Sequence, residues 1–136
     1  MAELRADRGP AAAPPGAITS DEVRVREESP DGKIKVSIAI EQASHGSGMA
    51  FGTARVLPEV EAVSWRFPDD THEAYYVSDG TLKLTWDGSD PGEQVVGPGE
   101  YFYFPPGRTY TIQNAGHEEA FFVWAISPSP QRSDSW

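Results

Sequence analysis

Hydrophobic and polar side chains alternate along much of the chain. Ile34, Val36, Ile38 and Ile40 interleave with Lys35, Ser37 and Ala39. That period of two is the signature of a half-buried strand. A Gly/Ser-rich loop at 44–48 follows. Segments 49–57 and 60–67 read as strands on either side of Pro58. Segments 73–77 and 81–86 flank the turn Ser78-Asp79-Gly80, and residues 87–92 are dense in turn formers. Segment 100–104 runs into Pro105-Pro106-Gly107. Segments 109–113 and 120–126 flank Asn114-Ala115-Gly116. Helical periodicity is weak throughout. About nine short strands at turn-punctuated spacing predict an all-β sandwich or barrel.

The ends break this pattern. Residues 1–20 are rich in Ala and Pro and read as a disordered leader, and residues 129–136 read as a flexible tail. One domain over 21–128 remains, within the usual size of a single folded unit. The leader carries Arg5 and Arg8, but Pro10, Pro14 and Pro15 interrupt its alanines, so it lacks the apolar run of a signal peptide. No apolar run approaches the roughly 20 residues of a membrane span. The expected location is the cytoplasm.

Composition narrows the chemistry. The 136 residues include no cysteine, which removes disulfides, thiolate zinc sites and cysteine nucleophiles. A formal net charge of -10 repels nucleic-acid phosphates and anionic membranes, and no Lys/Arg cluster offsets it. Neither is an expected partner. The glycines at 46, 48 and 52 lack the strand-to-helix setting of a nucleotide loop, and nothing resembles a Ser-His-Asp triad.

Two spacings stand out. Gly99, Pro105, Gly107, Tyr110 and Asn114 are separated by five, one, two and three residues, and six residues separate Glu73 from Gly80. The first spacing resembles the second motif of the cupin family, which has a histidine where Tyr110 stands. The second resembles the end of the family's first motif. Its two histidine positions fall here on Phe67 and Asp69, or on Arg66 and Pro68. The resemblance covers roughly residues 60–126, and within the family it is nearest the ethanolamine-utilisation Q type. It implies a conical β-barrel of the jelly-roll kind, often a homodimer. Family members include oxygenases, isomerases, lyases, cyclases and plain binding modules.

The resemblance points Glu73 and Tyr110 into the barrel. A carboxylate in an apolar cavity is costly unless paired or protonated, and its pKa rises toward neutrality. A tyrosine hydroxyl can donate to a developing oxyanion. Glu73 and Tyr110, with His72 beside them, are therefore the candidate catalytic residues for proton-transfer chemistry of lyase, isomerase or cyclase type. Period two adds Tyr75 to the Glu73 face and Asn114 to the Tyr110 face, and it sets Trp65 and Phe67 together. Arg66, Lys83 and Phe102 complete the candidate cavity, with Arg66 or Lys83 available to pair with Glu73 or with a substrate carboxylate. Packing alone accounts for most of Phe102, Phe104, Phe121, Phe122 and Trp124.

A metal-free site is expected, with a divalent ion kept as the alternative. Its ligands would be Glu73, His72 and Tyr110, with oxygen donors from Asp69 and Asp70. His72 could share the cavity with adjacent Glu73 only if it lay in the preceding loop or at a bulge. Three functions stay open: a small-molecule enzyme acting by proton transfer, a non-catalytic small-molecule binder or pathway accessory protein, and a metal-dependent oxygenase with altered ligands. A small organic molecule and a second copy of the chain are the expected partners.

Overall fold

The structure is a computed structural model, and it describes residues 11–130. Among them run β1 (Arg24–Glu27), β2 (Ile34–Ile40), the helical turn α1 (Gln42–His45), β3 (Ala50–Val56), β4 (Val63–Trp65), β5 (His72–Asp79), β6 (Leu82–Trp86), β7 (Gly92–Val96), β8 (Tyr101–Phe104), β9 (Tyr110–Asn114) and β10 (Ala120–Ser127). A six-stranded sheet is ordered β1-β2-β3-β10-β5-β8, and a four-stranded sheet β4-β9-β6-β7. Every described pairing is antiparallel. The two sheets close face to face as a jelly roll, the all-β arrangement that the alternation predicts in the form that the family resemblance implies. No helix among the described residues is long and apolar enough to cross a membrane.

Alternation decides which side chains meet between the sheets. On β5, Glu73, Tyr75 and Val77 are buried while His72 and Ala74 are exposed. On β10, Phe122, Trp124 and Ile126 face inward. Leu82 and Leu84 of β6 and Ile112 of β9 answer from the other sheet. Val56, Val77, Leu82, Leu84 and Val96 are sealed from solvent.

Several expectations are corrected. The expected strand over 60–67 is ordered as sheet only at Val63–Trp65, because β4 pairs with β9 across just that length. The loop expected at 44–48 is entered through α1, whose N-cap Glu41 is buried and paired with Arg24 at 3.1 Å. β7 begins at Gly92, inside the stretch read as turns, and pairs with β6 as an outer strand. β1 went unread because its inward positions are Arg24 and Arg26, opposite Ile38 and Val36. An edge strand with arginines on its inner face carries no apolar alternation.

The tail is also corrected in part. Ser129 and Pro130 are buried. The Ser129 hydroxyl accepts from the Gln42 N–H at 2.9 Å, and its own N–H donates to the Gly48 carbonyl at 3.2 Å. The rest of the expected tail, 131–136, and the first half of the leader, 1–10, lie outside the described residues. Residues 11–19 carry no strand or helix, yet the Ala13 N–H donates to the His45 carbonyl at 2.9 Å.

Two glycines let the strands approach. Gly80 turns β5 into β6 at φ 73, and a Cβ there would lie 2.6 Å from Ala120 Cα. A Cβ at Gly52 on β3 would collide with the Ser37 carbonyl oxygen and come within 2.7 Å of Trp124 Cζ2. Gly52 is thus the shelf on which the Trp124 indole lies, with its Nε1–H donating to the Thr53 carbonyl at 3.0 Å. Gly52→Ala is expected to destabilise the fold by about 2–3 kcal/mol through overpacking. Urea unfolding of the variant checks this, and an unchanged midpoint would contradict the contact.

Candidate functional site

Between the sheets lies a cavity of about 650 Å³, within the range usual for small-molecule sites. Tyr75, Phe122 and Trp124 from the large sheet and Trp65 and Ile112 from the small one form its walls. β4 ends at Trp65, so strict alternation lapses there, and Arg66, Phe67 and Pro68 also line the opening. Arg26 and Glu28, flanking the end of β1, line it as well and pair with each other at 3.1 Å.

Glu73 supplies the buried acid of this cavity. Its residue is 7% exposed. Trp65 Nε1–H donates to its Oε1 at 3.1 Å, a bond that joins the two sheets. The indole is held by rings on several sides: Tyr75 at 6.5 Å and 18°, Phe104 at 5.7 Å and Tyr110 at 5.8 Å between centroids. No cation pairs with Glu73 among the described residues, and Oε2 has no hydrogen-bond partner there. Burial pushes its pKa from 4.5 up to about 8; the Trp65 bond works against the rise and the Glu28 charge adds to it. A carboxyl this far from water, with one neutral donor, is kept in its protonated form near neutral pH.

Tyr75 stands two residues on along the same face. Its ring is stacked on Phe122 at 4.2 Å and tilted against Phe104 at 4.5 Å. Its hydroxyl has no hydrogen-bond partner among the described residues. No buried side-chain nitrogen or oxygen there is left without one, so this hydroxyl keeps an opening, and Tyr75 lines the cavity. Burial, then the charges of Glu73 and Glu28, raise its pKa well above 10.0, which keeps it a donor.

The other candidates are distributed as follows. Tyr110 is buried as expected, but its hydroxyl donates to the Pro105 carbonyl, and it borders a separate small void beside Glu73 and Phe67 rather than the main cavity. Burial raises its pKa, with Arg108 opposing. His72 begins β5 in the sheet itself, so it points away from Glu73. It is exposed, and its Nδ1 is 2.7 Å from the Tyr103 hydroxyl. Lys83 sits on the outer face of β6 and pairs with Glu93 at 3.4 Å. Phe102 packs on Trp86 and Phe104 without lining the cavity. Asn114 is a turn clamp: its amide donates to the carbonyls of Val56 and Glu118, and its Oδ1 accepts from the Gly116 N–H. Trp65, Arg66, Phe67, Tyr75 and Glu73 are the expected residues that the cavity brings together. Sequence reasoning did not place Arg26, Glu28 or Pro130 there. Phe122 and Trp124 were read as packing, although period two along 120–126 already set them on one face.

The sequence profile of the cupin domain family matches residues 55–126, more than half of the chain. The chain belongs to the cupin family. Solved structures bear out the fold. KdgF from Halomonas sp. superposes at a TM-score of 0.67, with 12% identity over 88% of this chain and 99% of that one. A putative ethanolamine utilization protein Q from Salmonella typhimurium LT2 does so at 0.65, with 15% identity over 84% and 86%. Oxalate decarboxylase from Bacillus subtilis, described with Mn(II) centres, matches at 0.61 and 24% identity over 73% of this chain. This chain covers only 26% of that enzyme. No curated protein matches the chain at a significant level.

The motif positions of this cupin do not fit a metal. Of the two placements of the histidine pair, one gives Phe67 with Asp69, the other Arg66 with Pro68. The Asp69 side chain is 86% exposed and lies 3.5 Å from Arg66. Glu73 is engaged by an indole, Tyr110 by a carbonyl, and His72 faces away. His45 lies in α1 with its Nδ1 2.7 Å from Ser44 Oγ, and His117 lies beyond β9 in the turn. Among the described residues no three His, Cys, Asp or Glu side chains converge. The donors that cupin metal chemistry needs are scattered over opposite faces of the sheet.

The raised pKa of Glu73 sets a pH dependence of stability. The folded chain binds this proton more tightly than the unfolded one. The stabilisation is therefore fully present below about pH 4.5 and is lost as pH rises through about 8. Each unit corresponds to about 1.4 kcal/mol, so the loss is on the order of 5 kcal/mol. Glu73→Gln, which keeps the shape without the charge, should flatten this fall. Urea unfolding at several pH values compares the two; parallel curves for wild type and variant would contradict it.

Proposed function

We propose that this cupin binds a small organic molecule between its sheets and moves a proton on it through Glu73, with the Tyr75 hydroxyl steadying the oxygen next to the reacting carbon. The observation that carries this reading is a buried carboxyl without a cation, opening on a ligand-sized apolar cavity beside an unpartnered hydroxyl. A pKa near the working pH is what a proton carrier needs, since both forms are then accessible. As base, Glu73 takes a proton from a carbon next to a carbonyl, while the Tyr75 O–H donates to the oxygen as negative charge collects there. As acid, the same carboxyl returns the proton to a neighbouring atom. Isomerisation balances in this way with no co-reactant, and elimination differs only in losing a leaving group. Trp65 holds Oε1 in place and leaves Oε2 to act.

The part expected of Tyr110 passes to Tyr75 in this account, because the Tyr110 hydroxyl is spent on the Pro105 carbonyl. The metal-dependent alternative finds no converging set of ligands among the described residues. The binding-only alternative differs from the proposal in a single respect, the chemical use of Glu73.

Deuterium exchange separates the two. Wild type and Glu73→Gln are incubated in deuterium oxide with a panel of small aldehydes, ketones and oxo acids, and exchange at the carbon next to the carbonyl is followed by proton NMR. At least one compound should exchange on the order of 100-fold faster with wild type than with the variant. Equal rates on every compound that binds would leave the cavity as a binding site only.

A further inference from the structure

The cavity is apolar except at two places: the Glu73–Tyr75 floor and the charged opening. The charges at the opening are unevenly committed. Arg26 and Glu28 neutralise each other at 3.1 Å, with both side chains about three-quarters buried. Among the described residues Arg66 pairs with Asp69 alone, at 3.5 Å, and that carboxylate is 86% exposed. An exposed pair at this distance contributes little and is readily exchanged for a better partner. Lys83 is turned outward onto Glu93, so Arg26 and Arg66 are the cations among the cavity's described lining residues.

We propose, building on the reading of this cavity as a small-molecule site, that its ligand is a small organic carboxylate: the anionic group sits on the Arg66 guanidinium at the opening, and the apolar body lies against Phe67, Phe122 and Trp124 inside. A guanidinium offers a carboxylate two parallel N–H donors, a stronger arrangement than the single long contact to Asp69. A cationic ligand would meet Arg66 and Arg26 with Glu28 already paired, and Glu73 offers it no charge near neutral pH. A neutral ligand would leave Arg66 as it is and gain nothing from it. With the carboxylate fixed at the opening, the far end of the molecule is directed at Tyr75 and Glu73.

The test uses three ligands of one shape: hydrocinnamate, its amide, and phenylpropylammonium. Each is titrated into the full chain by calorimetry at pH 7. Hydrocinnamate should bind about tenfold tighter than the amide, the difference expected for a charge-assisted bond, and the ammonium should bind weakest. Arg66→Gln should erase that preference while leaving affinity for the amide unchanged, and Arg66→Lys should keep part of it. The amide or the ammonium binding as tightly as hydrocinnamate, or Arg66→Gln keeping the preference, would overturn the carboxylate assignment alone. Failure of all three ligands to bind at millimolar concentration would overturn both the assignment and the small-molecule reading on which it rests.

Discussion

The hydrogen bond from the Trp65 indole to the Glu73 carboxyl is the contact on which the rest of the site depends. It spans the two sheets, since Trp65 ends β4 and Glu73 begins the inner face of β5. A carboxyl this deeply buried is tolerable only if it is paired, hydrogen-bonded or protonated. Among the described residues a single neutral donor meets it and no cation does, so protonation makes up the difference. The surrounding aromatic rings serve that arrangement. Tyr75, Phe104 and Tyr110 hold the indole, while Phe122 and Trp124 extend the same apolar wall. Gly52 gives the Trp124 ring its place. The cavity, the raised pKa and the free face of the carboxyl all follow from one group kept away from water.

Much of this was readable along the chain, for local reasons. Turn residues act over three or four positions, so Gly99 announced the turn into β8, Pro105-Pro106-Gly107 the β8–β9 connection and Asn114 the turn that ends β9. Alternation acts over two, so Glu73 and Tyr75 were placed on one inner face. What could not be read depends on pairings distant in sequence. Whether His72 joined the strand or the preceding loop is decided by its pairing with Ser127. The Tyr110 side chain points inward as its spacing suggests, but the path of the Pro105 loop brings a carbonyl to its hydroxyl. Arg26 was invisible because β1 takes its inward positions from the barrel it edges and shows no pattern of its own. Pro130 was taken for tail because nothing local tells that Ser129 is bonded to α1 and to Gly48.

The chain keeps the cupin turn spacings at Gly99, Pro105, Gly107 and Asn114, while Tyr110 stands where the family motif has a histidine. The glutamate of the first motif remains, and an indole now occupies the space beside it. Removing imidazoles from around a buried carboxylate removes the positive charge that a bound metal would supply. The carboxyl then becomes a weak acid, suited to carrying a proton. The pair of arginines at the opening gives the cavity its polarity on a chain whose formal charge is -10. Binding an anion on such a chain requires a local cation whose existing partner is weak, and Arg66 meets that description.

The protonation of Glu73 can be followed directly. Carbon-13 NMR of the glutamate side-chain carboxyls, with the Glu73 signal assigned by its absence in Glu73→Gln, gives its titration midpoint in the folded protein. The account predicts a midpoint near pH 8, well separated from the exposed glutamates. A midpoint near 4.5 would mean that the carboxyl is ionised in the folded chain at neutral pH. The desolvated acid at the centre of this account would then not exist.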